Sequence, residues 1–246
     1  MDRLAEKARH GVAEGVKAAF TQAVTLAIRN IGEISQVANA RIQADCHVAS
    51  ARIASSAEVS ATELAANAEV AILTIQKREL MTARDRKAAA SDLAGISQQV
   101  ESDISAGAKK AIDEIHRHAK AAIEQITGNS KQSIIEIQTL AGEIVGLVAE
   151  NARIAREKLD KNRQTPRTLE STAREAAKAA EKVRKHSDSA MEKLKGKASG
   201  AIEEINSLVE SNLAGLAGAV SSAEARIIGA RDAALARIRS FLDPPD

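Results

Sequence analysis

Large apolar side chains recur along this chain every eleven residues. Phe20, Ile31, Ile42, Ile53, Leu64 and Ile75 form one ladder, and Leu26, Val37, Val48, Val59, Val70 and Met81 form a second. A third runs through Leu93, Ile104, Ile115, Ile126, Ile137, Val148 and Leu159, with Ile112, Ile123, Ile134 and Val145 beside it. A fourth runs through Val183, Leu194, Ile205, Leu216, Ile227 and Ile238. Eleven residues make three helical turns at about 3.67 residues per turn, so a stripe with this repeat drifts little around an α-helix. A seven-residue repeat would demand left-handed winding instead. The pattern therefore predicts an all-α protein with hendecad periodicity and right-handed coiled-coil-like packing.

The ladders slip twice. Met81 to Leu93 is twelve residues, across TARDRKAAASD, and Leu159 to Leu169 is ten, across DKNRQTPRT. The second slip contains Pro166, which removes a helical hydrogen bond inside a helix or starts a new one after Thr165. The slip at 82–92 holds neither Gly nor Pro and reads as an adjustment within one helix. The expected segments are an alanine-rich stretch 1–86, an amphipathic stretch 87–161, a kink or turn at 162–168 with Pro166 as hinge, a C-terminal stretch 169–242 and a tail 243–246. Two architectures fit best: one very long amphipathic helix, or two helices broken near Pro166. A three-segment bundle that uses both slips as turns fits less well. A continuous rod would be about 370 Å long at 1.5 Å per residue.

The two ends of the ladder differ in width. Around Ile115, Ala119 and Ile123 share one face while Glu114, Arg117, Lys120 and Glu124 point elsewhere. Around Val48 and Ile53, most of the circumference is small or apolar. Residues 26–81 are therefore expected to contact more than one neighbour and to be the most enclosed part of an assembly.

Composition sharpens the reading. The chain has two Phe and neither Tyr nor Trp, so it lacks the side chains that dominate thick cores. Abundant alanine favours helix and buries little area. An exposed apolar seam on a lone rod requires a partner or a surface. We therefore expect self-association through Ile31, Val37, Ile42, Val48, Ile53, Val59, Leu64, Val70, Ile75, Ile104, Ile115, Ile126, Ile137, Val148, Leu194, Ile205, Leu216, Ile227 and Ile238, giving a homo-oligomeric coiled coil, sheath or filament-like assembly.

Charge excludes more than it suggests. Thirty-five basic residues face 33 acidic ones, for a net charge of +2. The most basic stretch carries Arg174, Lys178, Lys182, Arg184, Lys185, Lys193, Lys195 and Lys197, diluted by Glu175, Glu181, Asp188 and Glu192. It reads as a solvated helix face, and no nucleic-acid partner is expected. Cys46 is the single cysteine and is expected to be a small buried residue. The opening MDRLAEKARHG has no apolar signal-peptide core, and no stretch of about twenty apolar residues is present to span a bilayer. A cytoplasmic location is expected.

No chemistry stands out. His116 and His118 point to different sides of a helix, and no metal-binding His spacing occurs. Gly142 and Gly146, like Gly196 and Gly200, have the spacing that permits close helix approach. No acid–base pair, nucleophile, cofactor motif or small-molecule site is discernible, and a non-enzyme is expected.

The eleven-residue periodicity resembles that of exchangeable apolipoproteins, synucleins and lipid-droplet coat proteins, and late-embryogenesis desiccation proteins share it. The KTKEGV-type core of synucleins is absent. This resemblance implies an alternative: an amphipathic helix that coats a lipid, membrane or granule surface. Scarce aromatics and balanced charge favour self-association over that alternative.

Overall fold

The computed structural model of the chain describes residues 2–163 and 169–242. They form three helices, α1 (Asp2–Gln76), α2 (Ala83–Arg163) and α3 (Leu169–Leu242), which pack against one another. The expected continuous rod is therefore corrected, as is the alternative of only two helices. The physical reason is economical: each helix buries one apolar ladder against the other two. Pro166 and most of the expected 162–168 turn lie outside the described residues, as does the tail 243–246.

The break between α1 and α2 corrects the expectation of an adjustment within one helix. Past Gln76 the amides of Lys77 and Arg78 donate to the carbonyls of Thr74 and Ile75 at 3.3 and 3.1 Å. These i→i+3 bonds tighten and close the last turn. Thr82 then caps α2. Its Oγ1 accepts from the Asp85 amide at 3.2 Å and donates to the Asp85 carboxylate at 2.7 Å. This satisfies an amide that the first turn otherwise leaves unpaired. Asp85 also lies in the first turn of α2, where negative charge is favoured.

Contacts divide the chain into two units, each built from a stretch of all three helices: Met1–Asn39 with Gln125–Leu208, and Ala40–Glu124 with Val209–Asp246. In the first unit Phe20, Ile31, Ile126, Ile137, Leu194 and Ile205 are buried. There α2 and α3 run antiparallel, as Asn129 reaches Glu204 at 2.8 Å and Lys197 reaches Glu136 at 2.7 Å. Lys197 holds the Glu136 carboxyl below its ordinary pKa, mainly through this hydrogen bond. Asn39 donates to Thr127 Oγ1 at 3.0 Å, while its own Oδ1 is buried without a partner. A polar pair in an apolar seam disfavours slipped registers.

In the second unit Ile42, Ile53, Leu64 and Ile75 of α1 are at most 1% exposed. Leu64 and Ile75 share a cluster with Leu93 of α2 and with Leu235 and Ile238 of α3. Small side chains sit between the large ones: Ala49, Ala57, Ser60, Ala68 and Ala71 are all buried. They let the helices approach closely. Ser50 meets His116 at 3.2 Å, while Ile75 packs with Leu93, so α1 and α2 are antiparallel. Arg41–Glu210, Arg52–Glu224 and Glu63–Arg231 are bridged at 3.1, 2.9 and 2.9 Å. These pairs advance together along α1 and α3, which are therefore parallel. Arg78 donates to the backbone carbonyls of Phe241 and Leu242, and a cation is favoured at that helix end.

Candidate docking surface

The two ladders of α1 part company in the second unit. Each valine precedes an isoleucine or leucine of the other ladder by five residues, which is about 130° around a helix of 3.67 residues per turn. Ile53 and Leu64 point into the bundle. Val48, Val59 and Val70 point out and are 59%, 59% and 61% exposed. In the first unit Val37 is likewise exposed.

The outward valines belong to a complete stripe. Ala44, Val48, Ala51, Ser55, Val59, Thr62, Ala66, Val70 and Leu73 follow one another at steps of three or four residues, and all are exposed. None is charged. Charged residues make up 28% of the chain, a frequency at which nine positions would carry about two or three. Exposed positions of a water-soluble helix normally exceed that average.

Two borders flank the stripe. One carries His47, Glu58 and Glu69, all exposed. The other carries Arg41, Arg52 and Glu63, which are joined to α3 by the three ion pairs above. Arg52 Nη2 donates to both Glu224 oxygens, at 3.1 and 2.9 Å. Such half-exposed pairs contribute about 0–1 kcal/mol each; their effect is to neutralise that border. Beside Val59, the residues Ser55, Ser56 and Ser60 face Ile228 of α3 across a shallow groove of about 400 Å³.

The other predicted seam residues are placed as follows. Ile31, Ile42, Ile53, Leu64, Ile75, Ile104, Ile115, Ile126, Ile137, Leu194, Ile205, Leu216, Ile227 and Ile238 are all buried within the chain. Val148 is intermediate. The single expected seam is thus two surfaces, an inner one built of Ile and Leu and an outer one built of Val.

The remaining candidate residues have simple settings. Cys46 is buried, and burial pushes its thiol pKa up, with a smaller opposing effect from the Ser50 hydroxyl. Among the described residues no group of three or more His, Cys, Asp or Glu side chains converges as for a metal ion. A second groove, about 120 Å³, lies between α2 and α3 around His118, Ser211 and Gly215. In the basic stretch, Lys185 and Lys195 pair with Glu181 and Glu192 on their own helix. The glycine spacing has no packing role: a Cβ at Gly142, Gly146, Gly196 or Gly200 would meet nothing within 4 Å. No described helix is long and apolar enough to cross a membrane. No known protein family and no curated protein matches the sequence.

Proposed function

We propose that the protein is a non-enzymatic structural module that pairs with a second copy of itself along the valine stripe of α1. One observation carries this reading: the run from Ala44 to Leu73 keeps an uncharged, partly apolar face exposed along nine successive stripe positions. Exposing apolar side chains in such a continuous line is unfavourable in water unless something covers it. In this reading the eleven-residue spacing serves both surfaces. It keeps the inner ladder in register through a gentle right-handed supercoil and holds the outer ladder on one line.

Lipid is the less fitting occupant. Helices that lie on membranes use bulky aromatic residues on the apolar face and Lys or Arg along its edges. Here the face is Val and Ala, and one edge carries Glu58 and Glu69.

Sedimentation equilibrium tests the reading. The wild-type chain should associate reversibly in the micromolar range. Val59→Asp should remain fully helical and become monomeric, since Val59 touches solvent and not the core. A wild-type chain that stays monomeric at hundreds of micromolar would refute the proposal. Flotation of that monomer with vesicles would favour the lipid-surface reading.

A further inference from the structure

We infer that the two copies pair with their α1 helices antiparallel, centred near Val59. This rests on the self-association reading above, and it follows from shape and from charge.

Shape comes first. The two ends of the stripe differ in side-chain size: Ala44 closes one end and Leu73, 48% exposed, the other. Parallel pairing in register would set Leu73 against Leu73 and Ala44 against Ala44, holding the helices apart at one end. Antiparallel pairing sets Ala44 against Leu73 at both ends, with Val48 opposite Val70 and Val59 near its own copy. The two ends of the pair are then equally filled.

Charge gives the same answer. In an antiparallel pair each border runs beside the same border of the second copy, whereas in a parallel pair it runs beside the other one. Antiparallel pairing brings Arg52 beside Glu63 twice, by the symmetry of the pair, and His47 beside Glu69 twice. Only Glu58 meets its own copy. The Arg52–Glu63 contacts would extend the existing bridges to Glu224 and Arg231 into chains of alternating sign. Parallel pairing instead brings Glu58 beside Glu63 and His47 beside Arg52, unfavourable on both sides.

Area sets the strength. From Ala44 to Leu73 the stripe is about 44 Å long, and a helix is about 10 Å wide. The pair covers about 900 Å² in total, below the range of stable interfaces. The association is therefore weak and concentration-dependent. A second copy is favoured over a strongly basic or acidic partner because the borders offer both signs to match.

Distance measurement between spin labels decides the polarity. Cys46→Ala removes the native thiol, and His47→Cys places one nitroxide on an exposed border. In the antiparallel pair the two labels are about 22 residues apart along the axis, about 33 Å; in the parallel pair they are about 10 Å apart. If Cys46→Ala fails to fold, His47→Cys alone is labelled, since the native thiol is buried. Glu58→Arg gives an independent readout by sedimentation. It leaves an antiparallel pair within about threefold of the wild-type Kd, replacing one like-charge contact by another. It tightens a parallel pair about tenfold by turning two repulsions into attractions. A dimer with labels about 10 Å apart, or one tightened by Glu58→Arg, overturns the antiparallel arrangement and leaves self-association standing. No dimer at all overturns self-association itself.

Discussion

Leu64 and Val59 lie five residues apart on α1, and truncating each to alanine separates the inner surface from the outer one. Leu64 is fully buried in a cluster drawn from all three helices. Losing its isobutyl end removes transfer free energy and leaves a cavity, a cost of about 2–5 kcal/mol. For a chain of 246 residues the unfolding entropy is about 0.5 kcal/mol/K, so each 1 kcal/mol shifts the melting temperature by about 2 °C. Leu64→Ala should therefore lower it by about 4–10 °C. Val59 is 59% exposed and loses little contact. Alanine also has the higher helix propensity, by about 0.6 kcal/mol, so Val59→Ala should shift the melt by no more than about 1.5 °C. Circular dichroism melts of dilute protein, where pairing is absent, measure this difference. Sedimentation should show the reverse: Val59→Ala weakens pairing and Leu64→Ala, below its melt, does not. Equal melting shifts for the two variants would show that the two ladders do not face opposite ways.

Two further substitutions probe the helices themselves. Alanine at Gly107, Gly128, Gly200 and Gly229 should stabilise by about 0.5–1 kcal/mol at each site and add across sites, because the new Cβ meets nothing within 4 Å; chemical denaturation measures the sum, and a loss of stability would show that these glycines are not in helix interiors. Thr82→Ala should cost about 1 kcal/mol and increase hydrogen exchange in the first turn of α2, and unchanged exchange there would argue against Thr82 as the cap.

The helical class was legible because alanine content and the eleven-residue ladders agree on one period. Which ladder faces inward was harder, since both share that period. A signal was nevertheless present in the neighbours. Ile53 has Ala49 and Ala57 four residues to either side, both buried, whereas Val48, Val59 and Val70 follow directly after His47, Glu58 and Glu69. Small neighbours permit close packing, and charged neighbours mark a border with water. The α1–α2 break was missed because neither Gly nor Pro marks it. Its signature was Thr82-Ala-Arg-Asp85, a four-residue capping pattern, coinciding with the twelve-residue slip. The rod and the folded chain fitted alike because the ladder's phase changes by only one residue across Pro166. Phase carries little information on direction, because a helix that folds back needs the same period to cover its neighbours. The exposed stripe was visible only as half of a larger seam, since a single strand of sequence does not say how much of that seam the chain covers by itself.

The parallel pairing of α1 with α3 has a consequence for biosynthesis. The Ser50–His116 contact joins residues 66 apart in sequence, while Arg52–Glu224 joins residues 172 apart. Closing the longer loop costs only about 1 kcal/mol more in chain entropy, so thermodynamics hardly separates the two steps. Synthesis does. At about 5–20 residues per second, the ribosome takes roughly 5–20 s to proceed from His116 to Glu224. Throughout that interval α1 and α2 can meet, yet the side of Ile42 and Ile53 destined for α3 stays open to water. Neighbouring nascent chains on one messenger each present that open side at once. The order of translation therefore makes exchange of α3 between chains the characteristic assembly error of this topology, and slower decoding ahead of α3 lengthens the exposure that permits it.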